Sequence, residues 1–274
     1  VAKERILITV KTYPTLSTKY GETVCTAGVR EDGSWVRLYP VPFRRLGEQE
    51  RYRKYDWVEC SVVRHTADPR PESFRPVDPE ELTPVDHVEP SANWRERRRL
   101  LLDTCQVFTN LDELILAAKA NRMSLGLFRP IDVQRFYWKA EDERDWNPKK
   151  LKEMRAAHAQ GELFDEESWR KTFRVIPKLP YSFHYRFADA AGKVRNLQIL
   201  DWEIGALYWN CLRDANGDEI SALEKVKATY WNKFLEKDLH FYLGTTQQFH
   251  RRAPNPWVII GVLPIPVQRQ RELF

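Results

Sequence analysis

The chain has 274 residues, with 44 Lys+Arg against 39 Asp+Glu and a formal charge of +5. A chain this long buries roughly three quarters of its unfolded surface and needs no disulfide or metal to hold a core. Aromatic residues make up 12% and the charged 30% mix both signs, which excludes a largely disordered chain; the longest apolar run, Trp257 to Leu263, is far short of the ~20 residues of a membrane span.

Chain order begins with β structure. Arg5 to Val10 reads as a first strand, led directly by Lys3, Glu4 and Arg5 with no secretory apolar stretch between. Thr23 to Arg30 follows, then Glu31-Asp32-Gly33-Ser34, then Trp35 to Tyr39. The Asp-Gly step supplies positive φ at little cost, so these residues predict a hairpin. Asp56 to His65 is a fourth strand. Short strands with little helical patterning predict a small barrel or a curled sheet, resembling OB and PUA-like modules only as a class. From Asp68, six prolines fall before Ala92, and the stretch predicts an extended connector.

The middle region turns helical. Asn93 to Val107 carries three consecutive leucines, and Asn110 with Glu113 predicts the cap of a helix over Leu111 to Asn121. Strand-like runs at Ser124 to Phe128 and Val133 to Trp138 precede a helix opened by Pro148. Tyr181 to Phe187 and Lys193 to Leu200 then predict a hairpin, followed by helices over Asp201 to Arg213 and Glu219 to Lys237. Leu239 to Leu243 and Trp257 to Leu263 close the chain as strands. The fold class is therefore α+β: a β-rich N-terminal small barrel or curled sheet, a helical middle and an α+β C-terminal part. The expected divisions are 1–90, 91–172 and 173–274.

Cys25, Cys60, Cys105 and Cys211 are scattered, without a C-x-x-C pair or metal-ligand spacing. They read as small buried hydrophobes in a reducing cytoplasm. No cofactor, no metal and no membrane association is expected.

Two basic clusters point to nucleic acid. In the first, Arg37, Arg44, Arg45, Arg51, Arg53 and Lys54 interleave with Trp35, Tyr39 and Phe43, which pairs cations for phosphates with flat rings for unstacked bases. The same residues also fit a solvated rim over core-facing rings. In the second, Arg95, Arg98 and Arg99 share one region of a helix surface, where arginine suits bidentate phosphate contact. Thr245 and Thr246, with Arg251 and Arg252 close behind, are candidate phosphate contacts on a loop. No P-loop, dinucleotide fingerprint, zincin or nucleophile-elbow motif occurs.

Tyr181, Phe183, Tyr185 and Phe187 alternate with Ser182, His184 and Arg186, so the rings share one face. That face is expected to be core, which turns His184 and Arg186 outward or into a cleft. Candidate catalytic residues are Asp201 and Glu203 at a helix start, with His184 or His240 as a third ligand or base. The function expected is a cytoplasmic nucleic-acid-binding protein, DNA or RNA undecided. Two alternatives stand beside it: a metal-dependent enzyme on nucleic acid or nucleotides, and an interaction subunit docking a protein partner.

Overall fold

A computed structural model describes residues 3–17, 21–43, 46, 51–78, 81–159 and 175–267. Strands β1 (Lys3–Lys11), β2 (Thr15–Ser17), β3 (Gly21–Val29), β4 (Trp35–Val41), β5 (Asp56–Arg64), β6 (Ser73–Pro76) and β7 (Thr83–His87) come first. The order β1-β3-β4-β6-β5, with β5 pairing back to β1, closes a five-stranded barrel; β2 pairs with β3 and β7 with β5. The α+β class and the N-terminal small barrel are both as expected.

The hairpin between β3 and β4 turns at Gly33, whose φ is +80°. A Cβ there would also stand 2.5 Å from the Thr104 carbonyl oxygen, so glycine is required twice over. The proline-rich stretch differs from a plain connector. Arg37 and Leu38 of β4 pair in parallel with Ser73 and Phe74 of β6, while Val62 to Arg64 of β5 pair antiparallel to its other side. Prolines end that strand after four residues, but four residues suffice to close the barrel.

The second sheet contains β8 (Val107–Phe108), β9 (Leu125–Phe128), β10 (Asp132–Ala140), β11 (Tyr181–Ala188), β12 (Val194–Ile199), β13 (Asp238–Thr245) and β14 (Trp257–Ile265), in the order β10-β11-β12-β14-β13-β9-β8. Helices are α1 (Ser91–Arg98), α2 (Leu111–Lys119), α3 (Pro148–Ala159), α4 (Trp202–Asp214) and α5 (Glu219–Lys227). Helix α1 runs on as a π-helical turn over Arg99–Asp103, and α5 does the same over Ala228–Lys233. Asn110, Asp201 and Asp218 accept from backbone N–H groups in the first turns of α2, α4 and α5, the side-chain caps that open those helices. Ala92, Asn93 and Trp94 take left-handed φ values, so regular α1 geometry begins only at Arg95.

Three apolar clusters hold these parts together. Ile6, Ile8, Val36, Leu38 and Val58 fill the barrel. Phe183, Tyr185 and Phe187 pack with Phe241, Ile204, Tyr208 and Tyr230 beneath the helices, so the all-ring face of β11 is core. The third cluster joins the two sheets: Leu7, Val10, Ala27 and Val29 meet Leu125, Leu127, Tyr242, Ile260 and Leu263. Strand β1 is therefore buried on both sides, which is why it reads as a nearly unbroken apolar run. On its barrel side the second sheet is covered over β8, β9, β13 and β14. The adjoining β10-β11-β12 portion presents polar residues there.

No helix among the described residues is long and apolar enough to cross a membrane. Cys60, Cys105 and Cys211 are buried and Cys25 half-buried, all four as free thiols.

Candidate functional site

Where the barrel stops covering the second sheet, a cleft of about 440 Å³ opens. That volume lies in the range of small-ligand sites. The barrel contributes Thr12 to Thr15, Cys25, Arg37, Tyr39 and Arg70; the second sheet contributes Tyr181, Ser182, Gln198, Thr245, Thr246, Val258 and Ile260. Trp146 and Lys178 come from the segments preceding α3 and β11.

The aromatic members are fixed by their polar atoms. The Tyr13 hydroxyl donates to the Pro177 carbonyl (2.7 Å) and accepts from Trp209 Nε1 (2.8 Å). The Tyr181 hydroxyl donates to Glu219 Oε2 (2.6 Å), and Trp146 Nε1 donates to the Ile176 carbonyl (2.7 Å). What these residues contribute to the cleft is ring surface. Helix α4 carries Gly205 beneath Tyr13, and a Cβ there would come within 2.3 Å of the ring.

The cations of the cleft floor are committed to the fold. Arg37 is 1% exposed and donates to Ser124 Oγ (2.6 Å) and the Ser124 carbonyl (2.9 Å); Ser124 in turn donates to the Glu72 carboxylate. Arg70 grips Asp68 through Nε and Nη2 and donates to the Thr245 carbonyl. Burial alone would raise the Asp68 carboxyl, but hydrogen bonds from Arg70 and Ser73 hold it well below the usual range. Thr245 donates to Nδ1 of buried His250 (2.8 Å), whose Nε2 donates to Asn121 Oδ1 (2.9 Å). Burial, with Arg70 and Arg37 nearby, lowers the His250 imidazole to about 4. Among the described residues lining the cleft, Thr246 Oγ1 and Asp201 Oδ2 are buried without a partner, and the Gln198 amide and the Glu141 carboxylate form no hydrogen bond or ion pair.

A second polar cluster, which shares Asp201 with the cleft, joins the barrel to the start of α4. Lys54 Nζ donates to Glu203 Oε2 and to the Val262 carbonyl, both at 3.0 Å. Lys11 Nζ sits 4.1 Å from the Phe43 ring centroid and within 6 Å of the Tyr52 and Trp202 rings. Burial lowers the Lys11 ammonium to about 8. Asp201 is 2% exposed; its Oδ1 caps Glu203 N–H while Oδ2 is buried without a partner. Burial, reinforced by the Glu203 carboxylate, raises the Asp201 carboxyl to about 7.

Asparagine caps helices as well as aspartate does, so Asp201→Asn removes the charge and keeps the cap. A carboxyl raised in the folded state binds its proton more tightly folded than unfolded, so its penalty appears as pH rises from about 4 through about 7. Asp201→Asn should therefore be more stable than wild type at pH 8 by about 1–3 kcal/mol, with the difference gone at pH 4. Urea denaturation at both values measures it, and a variant less stable at pH 8 would refute the assignment.

The residues singled out in the sequence are dispersed. Trp35, Arg37 and Tyr39 share the face of β4 turned to the second sheet: Trp35 packs edge-on against Tyr242, Arg37 binds Ser124, and Tyr39 lines the cleft. Phe43 is 9% exposed, packed on Tyr52 and Trp202. Arg44 and Arg45 lie outside the described residues. Arg51 donates to the Leu46 carbonyl, and exposed Arg53 lies 3.6 Å from Asp56. On α1, Arg95 is exposed, Arg98 donates to the Pro266 carbonyl and Arg99 pairs with Glu96.

Thr245 and Thr246 line the cleft. Arg251 and Arg252 border an adjoining depression that shares Gln247 with it. Glu203 pairs with Lys54 and Asp201 lies within its field, whereas His184 stacks on Tyr137 and His240 contacts Asp238 of its own strand. Among the described residues no three His, Cys, Asp or Glu side chains form a group able to hold a metal. Sequence reasoning missed Tyr13, Trp146, Gln198 and Arg70 as cleft residues. Only Gln198 carried a local signal, as a polar position alternating with Leu197 and Ile199.

Residues 107–274 match the model of the family described as Domain of unknown function (DUF8757), and residues 2–103 match Domain of unknown function (DUF8758). No curated protein matches the chain. A solved structure titled "Structure of murine DNA binding protein bound with ds DNA" is similar over 98% of each chain, at 8% identity and a TM-score of 0.33, a likeness too slight to carry an argument.

Proposed function

We propose that this chain, which belongs to the family described as Domain of unknown function (DUF8757), is a nucleic-acid-binding protein that receives an unstacked base in the cleft between barrel and second sheet. The observation that carries this reading is the composition of the cleft. Rings of Tyr13, Tyr39, Trp146 and Tyr181 offer stacking surface, and the uncommitted Gln198 amide and Thr246 hydroxyl offer hydrogen bonds to a base edge. Base stacking on an aromatic side chain is worth about 1–3 kcal/mol. The floor arginines already donate to protein partners, Arg70 to the Asp68 carboxylate and Arg37 to Ser124, which suits a neutral base better than a phosphate. Phosphates would meet cations at the mouth, where Arg251 and Arg252 are exposed and form no ion pair among the described residues.

A formal charge of +5 makes the binding patch-driven and moderately salt-sensitive. The test is fluorescence-anisotropy titration with labelled single- and double-stranded DNA and RNA at low and physiological salt. Wild type should bind a single strand in a salt-dependent way. Gln198→Ala and Thr246→Val should each weaken it about 3- to 10-fold with unchanged melting temperature, the worth of one hydrogen bond. Absence of binding to all four probes at low salt would remove this reading.

A further inference from the structure

The half of the second sheet that the barrel leaves uncovered has its own composition. Paired positions in the register place Tyr137, His184 and Gln198 in one row across β10, β11 and β12, and Arg135, Arg186 and Asn196 in the next. Lys139 and Ser182 form a row on the other side. These residues alternate with the core rings Phe136, Phe183 and Tyr185, so they share the opposite face.

Tyr137 and His184 are stacked, with centroids 5.0 Å apart and planes within 12°. Arg135 and Lys139 lie 5.4 Å and 5.9 Å from the Tyr137 centroid. Arg135 and Arg186 stand directly opposite each other on neighbouring antiparallel strands. Like charges at such a pair destabilise a sheet, and neither arginine has a carboxylate within 4 Å among the described residues. An anion between them would relieve that repulsion. Successive rows are about 7 Å apart along the strands. Cations therefore flank a ring pair on both sides, an order that follows phosphate, base and phosphate along one strand. Asp132 at the start of β10 and Glu141 just beyond that strand place carboxylates at the ends of this face.

Gln198 joins this face to the cleft, because it is the third member of the ring row and also a wall of the cleft. We infer that the open face of β10-β11-β12 is a track for single-stranded nucleic acid, stacking a base on Tyr137 and His184, holding phosphate between Arg135 and Arg186, and leading the strand into the cleft. A duplex hides the ring faces of its bases and cannot use the stacked pair. This inference rests on the cleft reading and extends the contact from one nucleotide to several.

Its test uses labelled dT and rU oligonucleotides of 4 and 16 nucleotides and a 16-base-pair duplex, titrated against the full chain. Arg135→Glu/Arg186→Glu and Tyr137→Ala should each weaken the 16-mers at least 10-fold and the 4-mers less, with unchanged melting temperature. Tyr137→Trp should restore the 16-mer affinity of Tyr137→Ala. If the 16-mers bind, and weaken in Gln198→Ala but not in the sheet-face variants, the track is wrong and the cleft stands. Equal affinity of wild type for duplex and single strand would also overturn the track. If no oligonucleotide binds wild type, the cleft reading and the track that extends it both fail.

Discussion

Replacing Arg37 by alanine should lower stability by about 3–5 kcal/mol, the range for removing one partner from a buried charged network. The guanidinium is fully enclosed, and its two strongest hydrogen bonds cross from β4 of the barrel to Ser124 at the start of β9. Truncation leaves a void, takes a donor from both Ser124 Oγ and the Ser124 carbonyl, which keeps only the Thr245 N–H, and removes a cation near the Glu72 carboxylate. At about 2–4 °C per kcal/mol for a chain of this size, the melting temperature should fall by about 10 °C. Arg37→Lys should fall between the two, because an ammonium cannot make the two-pronged contact. The cleft lies over this junction, so the alanine variant should also lose oligonucleotide affinity. Melting within about 2 °C of wild type would show that Arg37 does not join the two sheets.

The second large effect belongs to the core beneath the helices. Phe241 is fully buried, stacks on Tyr185 (5.2 Å between centroids) and meets Phe187 edge-on at 5.4 Å. Phe241→Ala removes a ring from the centre of that cluster, and such truncations cost about 3–5 kcal/mol; the ring pairs add about 0.5–1.5 kcal/mol of the loss. Phe241→Leu should recover part of it by filling the space without the stacking. Unlike Arg37, this residue touches neither the cleft nor the open sheet face. Folded Phe241→Ala protein should therefore bind oligonucleotide as wild type does, although it melts far lower. A stability loss under about 1 kcal/mol would contradict the packing described.

What the sequence made legible was whatever acts over a few residues. The Asp32-Gly33 turn, the Asn110 cap and the alternation from Tyr181 to Phe187 each state their structure locally, and each is found. The closing strand of the barrel was hidden because Ser73 to Pro76 is short and proline-bounded; its pairing comes from β4 and β5 rather than from its own pattern. Arg37 misled for a related reason. Its alternation with Trp35 and Tyr39 correctly puts the three on one face, but nothing nearby says that a sheet folded from residues 107–265 will cover that face. The cleft was invisible on the same ground, being assembled from residues between Thr12 and Ile260 that meet only once both sheets are in place. His184 and Arg186 were the exception. Once the rings of their strand were assigned to the core, alternation alone turned them outward.

The most direct measurement is photocrosslinking of a single-stranded oligonucleotide carrying one 4-thiothymidine, followed by mass-spectrometric mapping of the modified peptides. Crosslinks to peptides containing Tyr13, Trp146 or Tyr181, lost in competition with unlabelled single strand, are the predicted result. Crosslinks confined to peptides bearing Arg51, Arg53 or Arg95 to Arg99 would contradict it, and would place any nucleic acid on the barrel rim and α1 instead of in the cleft.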